Sequence, residues 1–386
     1  MTGRAEQALA IELVVPSLDV GGMEVLVASM ARGLVARGHR VGVTCLMHDG
    51  AQADALRADG VRVSVVPAPG LTTIVRAPAL AEHFTRLNLD VVHSHSGVWE
   101  KAARAARHAG VRRVVHTVHG LHDAEPWHGP LLKRWGARHT DWVVAVSEPL
   151  REYLVQRVGL RAEGVRVLIN GIDTETFCPG DHTGALRGRL GLAADVPLVG
   201  TVARLAPIKN HAMLVNAFAT LARRGDAHLA IVGDGQMRPA LEAQIASSGL
   251  GDRVHLPGMM TNLAPVYRDL DVFVLSSLAE GTSISMLEAM STALGVVATR
   301  VGGNADLLDG GRCGVLVPSD DAAAMAESLG TLLDAPAERR RLGEAARARV
   351  LAHFSEAAML DGYEALYAGD ARAERTSTAE SVACVG

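Results

Sequence analysis

Short apolar runs alternate with helix-like patterns along almost the whole chain, and this alternation restricts the fold more than any other feature of the sequence. The first run, residues 11–15, leads through a glycine-containing turn into a helical pattern over about 23–37. Strands buried on both faces read as continuous apolar runs, and parallel strands need a crossover between them, usually a helix. The pattern therefore predicts an α/β fold of parallel sheets covered by helices.

The predicted strands fall into two groups. Those of the first half are residues 11–15, 41–46, 61–66, 89–93, 113–118, 142–146 and 165–169. Those of the second half are residues 197–202, 229–233, 254–257, 272–276, an apolar run closed by Gly302-Gly303, and 314–317. Because 386 residues exceed what one hydrophobic core usually holds, we expect two domains, 1–182 and 183–368. The last helices are expected to cross back to the first domain, and residues 369–386 to form a disordered tail.

Composition narrows the function classes. The net charge of −4 and the pI near 6.5 give no overall electrostatic reason to bind nucleic acid. The four cysteines form no C-x-x-C pair, so we expect neither a disulfide scaffold nor a zinc site. We also expect that no metal and no cofactor is required. The N-terminus lacks the apolar core of a signal peptide, and no run of about 18 apolar residues could span a bilayer. These features favour a cytoplasmic protein.

Two carboxylates bracket a predicted helix start in the second half, at Glu280 and Glu288. A fully helical segment would separate them by roughly 12 Å. That is too far for an acid/base pair on one glycosidic bond, which needs roughly 5 to 10 Å. The spacing suits the two ends of a long polar ligand. Ser283 and Ser285 are candidate caps of the helix, and a helix start favours phosphate.

Two cations follow an earlier strand of the same half, in ARLAPIKN: Arg204 and Lys209. Arginine offers a planar fork for phosphate oxygens and lysine a compact charge, so the pair could clamp a diphosphate. Exposed cations are usually only solvated. Lysine is scarce, however, since only Lys101, Lys133 and Lys209 occur in the chain, and this favours a function for Lys209. Tyr267, on a later helix, is expected to serve packing.

In the first half, the glycine turn at Gly21-Gly22 lets a ligand approach a helix N-terminus, although it lacks the G-x-G-x-x-G spacing and a simple tight turn explains it equally well. Ser147 is a candidate N-cap whose role could be purely structural. His93 and His95 are expected to follow a strand.

The HTVHG segment brings His119 and Gly120 to the end of the next strand. Ligands of α/β sheets bind beyond the carboxyl ends of strands, so His95, His119 and Gly120 are candidates to line a cleft. Packed or solvated imidazoles are the alternative, and no carboxylate or cysteine shares their spacing, which argues against a metal cluster.

Together these segments resemble the retaining glycosyltransferases of family 4, which have the GT-B fold of two Rossmann-like domains facing each other across a cleft. The resemblance spans nearly the whole chain, and it also rests on GDGQMR, which begins at Gly233, and on EAM and VVAT after Glu280. An E-x7-E pair alone is unspecific, but here it follows R-x4-K, each at a strand end. The first half is most similar to bacterial exopolysaccharide enzymes.

The resemblance implies a role for each matching residue. The donor sugar and phosphate are expected to contact Glu280, Gly281, Thr282 and Ser283. The ribose is expected to bind Glu288, and the diphosphate to bind Arg204 and Lys209. Gly21, Gly22 and Gly233 are further candidates to contact the donor. His119 is the candidate to position the sugar or the acceptor, and the acceptor-side candidates are His95, Gly120 and Ser147.

The chain departs from the family pattern at three places. Ser283 replaces a proline, Asp306 takes the place of a glutamate after Gly-Gly, and the usual A-x-G-x-P reads STALG over 291–295. Ala293 for glycine and Gly295 for proline could leave the connection after the helix mobile or shifted. None of these changes removes a charged participant, so they bear on donor preference more than on activity.

The implied reaction is transfer of a hexosyl or N-acetylhexosaminyl group from a nucleotide diphosphate sugar, a UDP-sugar by preference, to a hydroxyl with retention of configuration. The product would be a polysaccharide, a glycolipid or a natural-product glycoside. The alternatives are a nucleotide-sugar epimerase of the same fold, a non-catalytic GT-B partner subunit and a dinucleotide-dependent oxidoreductase, although the last would need the missing G-x-G-x-x-G. Basic and apolar residues alternate over 99–113 and 131–138, so peripheral contact at the inner face of a membrane stays open. The sequence leaves the sugar, base, acceptor and oligomeric state open.

Overall fold

The computed structural model describes residues 8–19, 21–70, 73, 76–120 and 129–369. The chain forms two compact units, the first from residues 1–171 together with 356–386 and the second from residues 172–355. The expected disordered tail at 369–386 lies outside the described residues, apart from Gly369.

The sheet of the first unit has seven parallel strands in the order β3-β2-β1-β4-β5-β6-β7. Their bounds are Ala10–Val15 (β1), Arg40–Cys45 (β2), Arg62–Val65 (β3), Val91–His95 (β4), Arg113–Val118 (β5), Trp142–Ala145 (β6) and Val165–Val167 (β7). The chain first winds outward from β1 to β3 and then starts again on the other side of β1. This reversal is the arrangement of a Rossmann-like domain.

Helices connect the strands of this unit. They are Gly22–Ala36, Ala53–Ala58, Pro78–Leu87, Trp99–His108, Gly129–Ala137, Glu148–Gln156 and, at the end of the chain, Glu356–Ala368. In Trp99–His108 the alanines and Trp99 are buried while the charged residues are only partly buried, which is the amphipathic pattern of a helix lying on a sheet.

The sheet of the second unit repeats the topology with six parallel strands in the order β10-β9-β8-β11-β12-β13. Their bounds are Leu198–Val202 (β8), His228–Val232 (β9), Val254–Gly258 (β10), Val272–Leu275 (β11), Gly295–Thr299 (β12) and Val315–Val317 (β13). Its helices are Arg187–Leu190, His211–Leu221, Arg238–Ser247, Ala264–Arg268, Ile284–Ser291, Asn304–Leu307, Ala322–Asp334 and Pro336–His353. The prediction of two parallel-sheet, Rossmann-like domains is thus confirmed.

The carboxyl-terminal helix Glu356–Ala368 belongs to the first unit. Glu356 accepts a hydrogen bond from Ser29 at 2.5 Å, and Tyr367 bonds His93 Nδ1 at 2.7 Å. The last helix therefore completes a domain that begins at the other end of the chain.

The units divide at residue 171, earlier than the 182/183 boundary predicted from sequence. The reason is that residues 172–182 are bonded to the second unit. Ile172 N donates to Phe354 O at 3.0 Å. Phe177 O accepts from Ser291 Oγ at 2.5 Å, and Cys178 O accepts from Arg268 Nε at 3.1 Å.

One local prediction is corrected, and the connection that departs from the family pattern forms a turn. His93 and His95 do not follow a strand but form the end of β4, because Ser94 and His95 pair in register with His116 and Thr117 of β5. The connection after helix Ile284–Ser291 is a regular left-handed turn, with Ala293 at a φ of 60° and its N–H bonded to Met290 O at 3.0 Å. Glycine usually occupies this position of a helix end.

Candidate active site

The strand order of the second sheet reverses between β8 and β11, and open α/β sheets bind ligands beyond the carboxyl ends of the strands at such a point. The loops that follow these two strands are joined directly. Leu278 N donates to Ile208 O at 2.8 Å, and Ser276 Oγ donates to Lys209 O at 2.8 Å. The loops therefore form one ledge, and it carries most of the predicted donor residues.

On this ledge, Lys209 and Glu280 form an ion pair with 2.6 Å between Nζ and Oε1. Ser277 Oγ also donates to Glu280 Oε1 at 2.6 Å. Lys209 and Glu280 are largely buried, so their mutual attraction is screened less than on an open surface. The Arg204 side chain is exposed, and within the described part of the chain its guanidinium has no hydrogen-bond or ion-pair partner.

The Glu280 loop rests on the glycine pair that follows β12. Gly302 has a φ of +51°, and a Cβ at this residue would lie 1.8 Å from Glu280 O. Gly303 N donates to Gly281 O at 3.1 Å. A side chain at Gly302 would push the Glu280 loop away, so the backbone here requires glycine.

A second glycine turn supports the Arg204 loop. Gly233 has a φ of +136°, and a Cβ there would lie 2.0 Å from Ala203 O, while Leu205 N donates to Asp234 O at 2.9 Å. Gly233, predicted to contact the donor, therefore has a clear structural task in holding the loop that carries Arg204.

The helix Ile284–Ser291 begins beside Glu280. Ser283 is its N-cap and accepts a hydrogen bond from Met286 N at 3.4 Å, which confirms one of the two predicted caps. Ser285 lies inside the helix and caps nothing, so that prediction is wrong. Thr282 and Ser283 are both nearly buried at this helix start.

Glu288 lies on the same helix and is nearly buried. Its Oε2 accepts a hydrogen bond from the Tyr267 hydroxyl at 2.6 Å. Burial raises the pKa of Glu288 to about 7, and the Tyr267 hydrogen bond acts in the opposite direction. Tyr267 was expected to serve packing alone, but its hydroxyl engages a predicted ligand-binding carboxylate. Sequence offers no signal for this pair, because the two residues are joined only by the fold.

The first sheet presents a different set of groups at its carboxyl edge. His95 Nδ1 and His119 Nε2 are 2.9 Å apart, at the ends of β4 and β5. Burial lowers the pKa of His119 to about 4 and holds the pKa of His95 well below its usual range, so both rings are neutral near pH 7. Among the described residues, His95 Nε2 is buried without a hydrogen-bond partner.

Behind this pair, His93 lies between the Tyr367 hydroxyl at 2.7 Å and Thr117 Oγ1 at 2.8 Å. The Thr117 hydroxyl also lies 3.1 Å from the Tyr363 hydroxyl. The His93 and His95 rings are 4.1 Å apart between centroids. The candidate acceptor-side histidines thus rest on a hydrogen-bonded network that includes the last helix.

The remaining first-unit candidates lie at the starts of helices or directly after His119. Gly21 has extended backbone and precedes helix Gly22–Ala36, and a Cβ there would lie 2.3 Å from Glu24 Oε2. Ser147 occupies the N-cap position of helix Glu148–Gln156, as predicted, but its hydroxyl makes no capping hydrogen bond. Gly120 directly follows His119 and is partly buried.

The described residues contain neither a metal-binding cluster nor a membrane-spanning helix. They contain no group of three or more His, Cys, Asp or Glu side chains arranged to hold a metal ion. None of their helices combines the length and apolar composition that a membrane span requires.

Comparison with known proteins bears on this geometry. Residues 20–176 match the family described as Glycosyltransferase Family 4, and residues 196–335 match Glycosyl transferases group 1. A D-inositol 3-phosphate glycosyltransferase of Xylanimonas cellulosilytica is 32% identical over 89% of this chain and 92% of its own length. An Escherichia coli UDP-Gal:alpha-D-GlcNAc-diphosphoundecaprenol alpha-1,3-galactosyltransferase is 30% identical over 64% of this chain and 66% of its own.

Among solved structures, Anabaena Alr3699/HepE in complex with UDP superimposes with a TM-score of 0.82 at 22% identity, covering 94% of this chain and all of that one. At this identity the likeness shows the shared fold. The sequence similarity to the Xylanimonas enzyme extends over nearly the full length of both chains. This chain is therefore a glycosyltransferase of family 4 with the GT-B fold.

Proposed function

We propose that this glycosyltransferase moves a sugar from a UDP-sugar to a hydroxyl acceptor with retention of configuration. The observation that carries the proposal is the Lys209–Glu280 ion pair of 2.6 Å at the reversal point of the second sheet, beside the start of a helix that carries Glu288. A cation, a carboxylate and free helix N–H groups together suit a ligand with a diphosphate between a sugar and a ribose.

The donor roles divide among these groups by their chemistry. The Lys209 ammonium has three N–H donors and uses one on Glu280, so two remain for phosphate oxygens. Arg204, exposed and uncommitted among the described residues, offers a planar fork to the same diphosphate. Both cations stabilise the negative charge that develops on the leaving diphosphate. Glu280 and the backbone of Gly281 bind the sugar hydroxyls and phosphate.

Relatives support uridine as the base. The Escherichia coli relative has UDP-Gal in its name, and the Anabaena structure was solved in complex with UDP. For this chain we propose UDP as the leaving group, with Glu288 binding the ribose hydroxyls.

Retention follows from a front-face reaction in this proposal. Glu280 is already bonded to Lys209 and Ser277, so it acts as a hydroxyl-binding group rather than as a nucleophile. The leaving phosphate accepts the acceptor's proton as the acceptor oxygen attacks the same face of the anomeric carbon. His119 and His95, both neutral, position the acceptor hydroxyl without adding charge. No metal or other cofactor takes part.

The experiment is a panel of nucleotide sugars screened by thermal shift, because a bound ligand raises the apparent stability. UDP-sugars are expected to raise Tm more than the GDP- or ADP-linked sugars. With the donor known, proton NMR of the product of a candidate acceptor should show the donor's anomeric configuration, and a chelator should leave the rate unchanged. An inverted product would contradict the mechanism, and the same Tm with every nucleotide sugar would contradict the donor assignment.

Peripheral membrane contact is a further part of the proposal. Leu131 is 58% exposed on helix Gly129–Ala137, and exposed Arg134 lies one turn later. An exposed leucine beside a cation suits an anionic lipid surface. Co-sedimentation with vesicles of anionic and of neutral lipid tests it, and a chain that stays in the supernatant with both would refute it.

A further inference from the structure

The Tyr267–Glu288 pair is more than two side chains that pack together. Tyr267 is fully buried on helix Ala264–Arg268, and its ring packs against Phe177 and Phe273 at centroid distances of 5.8 and 5.9 Å. These rings fix the direction of the phenol. The hydroxyl then donates to Glu288 Oε2 at 2.6 Å. A buried phenol needs a hydrogen-bond acceptor, but a backbone carbonyl would serve equally well. Burial of Tyr267 alone therefore does not explain why its acceptor is a carboxylate.

The pairing leaves part of the carboxylate free. A carboxylate has two oxygens and about four acceptor positions, of which Tyr267 occupies one. The hydrogen bond also fixes the Glu288 side chain before a ligand binds. A long side chain that is free before binding would lose rotamer entropy worth about 1.5 to 2 kcal/mol when the ligand binds. We infer that Tyr267 is a positioning residue: its phenol holds the Glu288 carboxylate so that the remaining lone pairs accept both hydroxyls of a ribose. This inference rests on the proposed function.

The ionisation of Glu288 supports the geometry. Burial raises its pKa to about 7, and the Tyr267 hydrogen bond opposes this rise. The charged side chains on the neighbouring helices are engaged elsewhere. Arg347 donates to Ser291 O, and Arg268 donates to Cys178 O at 3.1 Å. Tyr267 is thus the group that favours the ionised carboxylate.

The test uses Y267F, which removes the hydroxyl and keeps the ring. The affinities for UDP and for 2′-deoxy-UDP are measured by calorimetry in the wild type, Y267F and Y363F. The last is a matched control, since Tyr363 is equally buried and its hydroxyl bonds Thr117 in the other unit. We expect the wild type to prefer UDP by about tenfold. Y267F should lower UDP affinity about fivefold and shrink the preference, whereas Y363F should retain both affinities.

A titration from pH 6 to pH 9 gives a readout that a packing role would not change. Wild-type UDP affinity should rise with pH through about 7, as Glu288 ionises. Y267F should move this rise to higher pH, and E288Q, which cannot ionise there, should abolish it.

Three results would overturn the inference while leaving the proposed function intact. Y267F could bind UDP and 2′-deoxy-UDP with wild-type affinity, or it could lose affinity for both by the same factor. E288Q could retain the pH dependence of UDP affinity. A wild type that binds no uridine nucleotide would instead refute the proposed function itself, and the inference with it.

Discussion

The carboxyl edges of the two sheets have the same topology, but one carries uncharged groups and the other charged groups. In the first sheet the edge holds His95 and His119, whose burial lowers their pKa values so that both are uncharged near neutral pH. In the second, the equivalent edge holds the ion pair of Lys209 and Glu280 with exposed Arg204 nearby in sequence.

The fold therefore determines where a ligand binds, and the side chains determine which ligand it is. Both sheets reverse their strand order between the first and fourth strands of the unit, so both present the same kind of edge. Among the residues that the structure describes, only the second sheet places Lys or Arg side chains at this edge. A diphosphate suits the charged edge, and an uncharged hydroxyl suits the neutral one.

The largest expected effect comes from K209A, which removes a cation from the charged edge. We expect kcat to fall by roughly 100-fold or more, because the leaving diphosphate loses its charge stabilisation. Steady-state kinetics measure this, with K101A as the control: Lys101 is bonded to Ala68 O in the first unit. An unchanged kcat with a raised donor KM would show that Lys209 contributes to ground-state binding only.

The next prediction concerns the backbone under the charged edge. G302A should lower the free energy of unfolding by about 2 to 4 kcal/mol, because its Cβ would lie 1.8 Å from Glu280 O. The matched control is G310A, since Gly310 also has a positive φ, of +68°, but open space around it. Its expected loss is about 1 kcal/mol, from backbone strain alone. Equal losses in chemical denaturation would contradict the close contact.

A third prediction concerns the buried carboxylate at the charged edge. The folded-state pKa of Glu288, about 7, lies above the ordinary glutamate value of 4.5, so wild-type stability falls as pH rises between these values. E288Q lacks this titration. Relative to the wild type it should therefore gain about 1 to 3 kcal/mol between pH 5 and pH 8. Denaturation at the two pH values checks this, and a pH-independent difference between the two proteins would contradict the buried titration.

The smallest expected effect is at the neutral edge. H119Q should raise the acceptor KM by about tenfold, since it disturbs a hydrogen-bonding group but no charge, and should leave UDP affinity unchanged. Because the pKa of His119 is about 4, its loss should not alter the pH dependence between 6 and 8. H108Q, at an exposed histidine, is the control. A fall in UDP affinity would remove the distinction between the edges.

Much of the fold was predictable because most strands are largely apolar runs between turn residues. The predicted end of β4 was wrong, since Ser94 and His95 read as loop residues yet are satisfied by neighbours on β5. Glu280 and Lys209 were each predicted to follow a strand, and they do. The Tyr267–Glu288 contact was not predictable, because it depends on packing between two separate helices.

The tie between the last helix and the first sheet has a consequence for biosynthesis. Tyr363 and Tyr367 lie close to the end of the chain, yet their hydroxyls complete the network around His93 and Thr117. Residues 1–171 leave the ribosome long before these tyrosines are made. The hydrogen-bonded network around His93 and Thr117 can therefore be completed only after the whole second domain has been translated.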